Sequence, residues 1–172
     1  MTTTYAILLR GVNIGKRKVK SAELKSCFTD AGYANVQTVL ATGNIILESE
    51  EKPKALRQNV EKLLWQTFDF RVKVGLVTQE QLAQIIKDCP FSQQKDYHRY
   101  VLFADQMIDL NKAAVADELE TVKAGKGVIY WQVKKGFTLR SKFSKSSSKL
   151  LKHTFSTTRN INTLEKILKK MP

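Results

Sequence analysis

At 172 residues, with 42% apolar residues and a net charge of +13, the chain can form one sizeable core or two small halves sharing an interface. No window approaches the roughly 18 consecutive apolar residues of a membrane span, and Met1-Thr-Thr-Thr lacks the charged start and apolar run of a signal peptide. Two cysteines, Cys27 and Cys89, do not make a disulfide framework, so a reduced, cytoplasmic protein is expected.

The first apolar run, Tyr5-Ala-Ile-Leu-Leu9, is apolar on both alternating faces and reads as a strand covered on both sides. Gly11 and Gly15 punctuate the loop after it. A helix is predicted from Ser21 to Ala31, with Leu24, Cys27, Phe28 and Ala31 on one face and Gly32 as its stop. Strands are predicted at Val36–Ala41 and Ile45–Glu48, joined by a Thr42-Gly43-Asn44 turn. A second helix opens at Pro53, a favoured first-turn residue, and repeats Leu56, Val60, Leu63, Leu64 and Phe68 at helical spacing. Arg71–Val77 then suits a half-exposed edge strand.

This order, β-α-β-β-α-β, is the split βαβ of ferredoxin-like folds. The doubly apolar strands, one and three, belong at its centre. A four-stranded sheet with two helices leaves one face open. Since that face is apolar here, either the second half of the chain or a second copy must cover it.

Thr78 and Gln81 make a capping box for a third helix carrying Leu82, Ile85 and Ile86, which Cys89-Pro90 ends. After the polar loop Gln93–Asp96 come a strand at Arg99–Ala104, a helix at Leu110–Leu119 and a strand at Gly127–Val133. Lys134-Lys-Gly136 fits a turn into Phe137–Arg140. A basic helical piece spans Ser144–Phe155, and a last helix spans about Asn162–Lys170, with Asn162 and Glu165 as its capping pair. The expected fold is therefore α+β with two packed subdomains: a ferredoxin-like βαββαβ unit at 1–78 and a related mixed α/β unit at 79–172 with basic C-terminal helices. No residue-level repeat links them, although they could share a topology.

Charge is concentrated rather than spread. From Lys134 to Lys170 there are eleven Lys or Arg and one acid, Glu165; the first thirty residues hold six bases against Glu23 and Asp30. Such a field attracts polyanions, and its plain alternative is a solvated face that keeps the protein soluble.

Gly11-Val-Asn-Ile-Gly15-Lys16-Arg17 has three residues between its glycines and Arg after Lys, so it is not the nucleotide-hydrolysing P-loop. A strand-to-helix loop with two glycines can still point several N–H groups at one anion, with Arg10, Lys16, Arg17 and Lys18 supplying charge; an ordinary connecting loop is the alternative. Asn13 and Asn44 sit at turns beside Gly, where Asn is structural by default. Arg159 and Asn160 precede the last helix, where its dipole favours an anion.

His98, His153 and two distant cysteines give no metal-ligand spacing, and neither a nucleophile elbow nor any cofactor motif is present. The third strand has no aromatic and the first has only Tyr5, so base stacking on the sheet is not expected. Nucleic-acid binding would be phosphate-led and non-specific.

Three segments carry a family resemblance: Tyr5–Gly15 with Lys18-Val19 and Glu23-Leu24, then Val39–Ile46, then Thr158–Thr163. On these the chain resembles domain-of-unknown-function family 1697, small proteins found largely in bacteria. The chain has Lys16 where the family usually has a second Gly, Lys20 where it often has Pro, and Ile161 where it often has Trp. The resemblance implies two related α+β subdomains and no established activity. It points to Arg10, Asn13, Asn44, Arg159 and Asn160 as the positions to test. Together the residues and the resemblance favour a protein that binds a polyanion or phosphorylated ligand through basic loops. The alternatives are a small enzyme acting on a phosphorylated substrate and a homodimeric interaction module.

Overall fold

The computed structural model describes residues 1–10, 18–40, 43–69, 71–106, 108–113 and 118–172. They form two compact units, Met1–Leu82 with Glu165–Pro172, and Ala83–Leu164.

The first unit runs β1 (Thr3–Arg10), α1 (Ser21–Asp30), β2 (Ala34–Val39), β3 (Asn44–Ser49), α2 (Pro53–Phe68) and β4 (Lys73–Thr78), then opens α3 (Gln79–Lys87). Its antiparallel sheet has the order β2-β3-β1-β4, so the doubly apolar strands are central. Tyr5, Ile7 and Leu9 of β1 and Ile45 and Leu47 of β3 meet Leu24 and Phe28 of α1 and Leu56, Val60 and Leu64 of α2. Gly32, at φ +96, ends α1 in a left-handed turn that a side chain would strain. The Ala31 side chain lies outside this core and is exposed.

The opposite face of the sheet is equally dry. Paired residues of an antiparallel ladder share a face, and one row runs Gln37, Ile46, Ala6, Val77. Ala6, Ile46 and Leu8 are essentially inaccessible to solvent. Gln37 Nε2 donates to Lys170 O (3.4 Å), and Gln79 Nε2 donates to Pro172 O (2.7 Å). These two bonds lay the last residues of the chain, with buried Ile167 and Met171, along this face. At the edge strand β2, a bulge between Ala34 and Gln37 places Asn35 at φ +53, and its side chain bonds Glu48 Oε2. Such a bulge blunts an edge against pairing with another chain.

The second unit holds β5 (Tyr97–Ala104), α4 (Leu110–Ala113), β6 (Glu120–Ala124), β7 (Val128–Lys134), α5 (Lys142–Leu150), β8 (Ser156–Asn160) and the start of α6 (Ile161–Lys170). Its sheet order, β6-β7-β5-β8, repeats that of the first unit four strands later. Leu102, Ile129, Trp131 and Val133 pack one face against Phe143 and Leu151. On the other face, Tyr130 Oη donates to Ile85 O at 2.6 Å, which seats the end of α3 there.

Several sequence expectations change here. The predicted helix at Leu110–Leu119 is α4 alone among its described residues, because Leu119 O accepts from Lys134 N (2.8 Å) beside β7 and a strand, β6, follows. Phe137–Arg140 forms successive turns rather than a strand, with Phe137 N donating to Lys134 O and Arg140 N to Phe137 O. Thr157–Asn160 belongs to a strand, β8, paired to β5. The cap of α6 is Asn160, whose Oδ1 accepts from Asn162 N at 2.9 Å, so Asn162 lies inside the helix. The Thr78–Gln81 capping box is present, with bonds of 2.9 and 3.2 Å.

Glu120 is a carboxylate buried in the second core. It is 3% exposed; Oε1 accepts from Trp131 Nε1 and Oε2 from Lys142 N, both at 2.9 Å. Lys142 is the first residue of α5, so the carboxylate satisfies a free helix donor that Ser141, the N-cap bonded to Ser144 N, leaves over. Glu120→Ala would strand two buried donors and should lower unfolding free energy by about 3 kcal/mol. Glu120→Gln, which keeps one acceptor, should cost about half of that. Urea unfolding of the two variants checks both values.

Candidate functional site

Arg10 ends β1 and is exposed, directly across the ladder from Lys73 of edge strand β4. Lys18 is exposed at the approach to α1, beside buried Val19. Asn13 and Lys16 lie outside the described residues. Asn44 is buried, and its Nδ2 donates to Val39 O (3.1 Å), so its amide helps hold the connection from β2 to β3. The first unit thus places Arg10 and Lys18 at its surface and uses Asn44 in its frame.

In the second unit, Arg159 and Asn160 end β8. Arg159 sits opposite Val101, and its Nη1 turns back onto Thr157 Oγ1 and Thr158 O. Burial pulls its guanidinium pKa down to about 10, which leaves it charged at neutral pH. Asn160 sits opposite Tyr100, on the other face of the strand, and lines a groove of about 500 Å³. This groove lies where β5 begins, β8 ends and α6 starts.

The groove brings together residues that the sequence kept apart. Lys95 comes from the loop before β5, His98 and Arg99 from the first residues of β5, and Lys135 from the turn after β7. Tyr97 pairs with Lys134, and Lys135 N donates to Asp96 O at 2.8 Å, so the antiparallel β5–β7 ladder itself sets Lys95 near Lys135. Arg99 is steadied by a bond from Nη1 to Phe91 O (3.2 Å), and His98 packs on Tyr100 with ring centroids 5.6 Å apart. No carboxylate is among the described residues lining the groove. Lys95, Arg99 and Lys135, the amide residues Asn160 and Asn162, and Ile161 of the first turn of α6 therefore line one space. Such a donor set can bind an anion by charge-assisted hydrogen bonds.

Of the described residues that the sequence marked as ligand candidates, Asn160 lines this groove. Lys95, His98, Arg99 and Lys135 were not read as ligand residues, because only the β5–β7 pairing joins them. The one available sign was that Gln93–Asp96 and Lys134–Gly136 both read as loops flanking strands. Among the described residues, no group of three or more His, Cys, Asp or Glu side chains comes together to hold a metal, and no helix is long and apolar enough to cross a membrane.

A family model, DUF1697, "Protein of unknown function", matches residues 1–135. The motif at Thr158–Thr163 lies beyond the matched stretch. The search of curated proteins finds no match. Among solved structures, a conserved bacterial protein from Streptococcus pneumoniae is similar over 98% of both chains, at 24% identity and a TM-score of 0.79. That likeness shows the fold: two four-stranded antiparallel sheets with helices, α+β.

The titratable groups with the largest displacements lie outside the groove. Burial pushes the Cys27 thiol up, against a hydrogen bond to Thr67, and a thiol so placed is a poor nucleophile. Tyr33 is pushed up to about 12 by burial, by its hydrogen bond to Glu51 Oε2 (3.0 Å) and by that carboxylate's charge. Tyr130 is pushed up to about 12 by burial and by the charges of Asp88 and Cys89. Both phenols stay protonated in the folded chain above the ordinary value of 10, where an unfolded chain ionises. The folded state therefore binds more protons between pH 10 and 12, and stability falls across that window while it is unchanged by these groups below it. A phenolate absorbance titration of the native protein should show two of its five tyrosines ionising late, near pH 12. Tyr33→Phe and Tyr130→Phe should each remove one late transition.

Proposed function

The chain belongs to the DUF1697 family, and we propose that this member binds a phosphate-bearing ligand, a small phosphorylated molecule or a polyanion, through its basic loops. The observation that supports this most is the groove at the start of β5, with Lys95, Arg99, Lys135 and His98 around it and no acid among its lining residues. A natural cationic surface normally intersperses both signs; a concave one that holds a single sign concentrates counter-ions. Asn160 adds an amide at the rim, and its own oxygen is committed to Asn162 N, so its Nδ2 is the group that would face a ligand. Arg10 and Lys18 offer cations of the same kind on the first unit. The two free cysteines fit a reducing, cytoplasmic setting.

One observation favours a second reading, a small enzyme acting on a phosphorylated substrate. His98 puts an imidazole, which can give or take a proton, into the same groove as the cations. Release of inorganic phosphate from a generic phosphomonoester, lost in His98→Asn, would carry that reading over simple binding.

The binding proposal is tested by calorimetric titration of inorganic phosphate and pyrophosphate at low and high salt. Saturable binding is expected at low salt, and Lys95→Ala with Lys135→Ala should weaken it by at least about tenfold, near 1.5 kcal/mol. No saturable heat at low salt, or equal affinity in the double variant, would refute the groove as the site.

A further inference from the structure

A second cationic feature of the same unit stands apart from the groove. Between Glu120 and Glu165 the chain carries ten Lys or Arg and no acid. Part of this charge is ordered on α5. Lys142, Lys145 and Lys149 recur at spacings of three and four, which sets them on one helical face. All three are exposed, as are Arg140 before the helix and Lys152 in the turn after it. The opposite side of α5 is tied down: Phe143 is fully buried in the core, Ser147 is buried, and Lys142 N bonds the interior carboxylate of Glu120. The helix therefore cannot roll to hide its lysines.

We infer that the exposed face of α5 docks on the phosphate backbone of duplex nucleic acid without reading its sequence. The spacing suits this partner. From Lys142 to Lys149 the helix rises about 10 Å, and duplex DNA offers a phosphate every 3.4 Å or so along each strand, so three lysines face about three phosphates. Ser146 and Ser148, interleaved between the lysines, carry hydroxyls of the kind that commonly bond phosphate oxygens.

Two other classes of partner fit less well. Single strands are gripped by aromatic platforms, but the one aromatic of α5, Phe143, is fully buried, and none lies on its exposed face. An anionic membrane surface asks for apolar residues beside the charge, and the solvent face of α5 has serines there. Leu150 is 41% exposed but lies towards the buried side. Asp109, the residue before the neighbouring α4, accepts from Asn111 N and is committed to the start of that helix.

This surface does not depend on the groove, so the two can fail separately. The test is fluorescence anisotropy of a short labelled duplex of arbitrary sequence with the full chain, from about 50 to 200 mM salt. For three contacts, log affinity should fall with log salt at a slope of about −2.7. Lys145→Gln with Lys149→Gln should flatten the slope by about 1.8. The charge-matched control on α2, Lys54→Gln with Lys62→Gln, should leave it unchanged. In the wild-type chain the duplex should also protect Lys145 and Lys149 from amine acetylation, a readout that needs no variant to fold. The inference is overturned by absence of binding at low salt, by equal slopes in the α5 and α2 pairs, or by failure to protect these lysines. It is also overturned if anionic vesicles bind the chain and the duplex does not compete.

Discussion

Each sheet in this protein is wet on neither face, and that requirement shapes both units. A split βαβ arrangement supplies two helices, enough for one side of four strands. In the first unit the second side carries Ala6, Leu8, Ile46 and Val77. Left open, those side chains would forfeit roughly 1.5–3 kcal/mol for each large one. The unit closes that side with its own last residues, and the closure is specified by polar bonds as well as by burial. Gln37 shares a row with Ile46 and Ala6, so an amide at the sheet edge points to the same side as the apolar centre and accepts a fixed partner in the Lys170 carbonyl. In the second unit Tyr130, on the corresponding side, does the same with the Ile85 carbonyl. Buried apolar surface gives the driving force, and directional bonds in each unit, two in the first and that of Tyr130 in the second, help fix how the covering segment lies.

The first unit was legible in the sequence because its local signals agree with one another. Pro53 opens α2, Gly32 stops α1, Thr78 and Gln81 box the start of α3, and the two doubly apolar strands are the central ones. The second unit repeats the same strand order, yet its sequence hides it. β6 is Glu-Thr-Val-Lys-Ala, and its inward position is taken by a carboxylate, Glu120, where alternation predicts an apolar residue. β8 is Ser-Thr-Thr-Arg-Asn, a polar edge whose place is set by pairing with β5. α4 shows only four described helical residues in the place that α1 fills with ten. A topology can persist when packing and hydrogen bonding, rather than propensity, supply the stabilisation.

The candidate site was legible in kind and not in place. A concentration of charge was visible, and Asn160 was correctly placed beside the start of the last helix. The cations that share its groove come from the Lys95 loop, the opening of β5 and the turn after β7, which only the antiparallel ladder brings together. Sequence reasoning put Arg159 and Asn160 together as ligand residues before the last helix. Strand alternation makes them point to opposite faces, and no alternation of apolar residues marked a strand there.

Stability does not explain where the charge sits. Two exposed lysines about 10 Å apart in water repel by roughly 0.4 kcal/mol, and physiological salt screens that over about 8 Å. Of the ten cations between Glu120 and Glu165, those at the surface are thus tolerated at small cost, whereas Arg159 is largely buried. The same screening limits what such a field can do at a distance. A partner feels it only near contact, so recognition must come from shape and spacing: a concave set of cations in the groove, and a regular row of them on α5. These two geometries select different anions. A groove with amides and an imidazole at its rim favours a compact group that several donors can surround, whereas a straight row matches charges repeated along a line. Lys135 of the groove and the lysines of α5 share the single-sign segment, and strand pairing and helix docking send them to different surfaces.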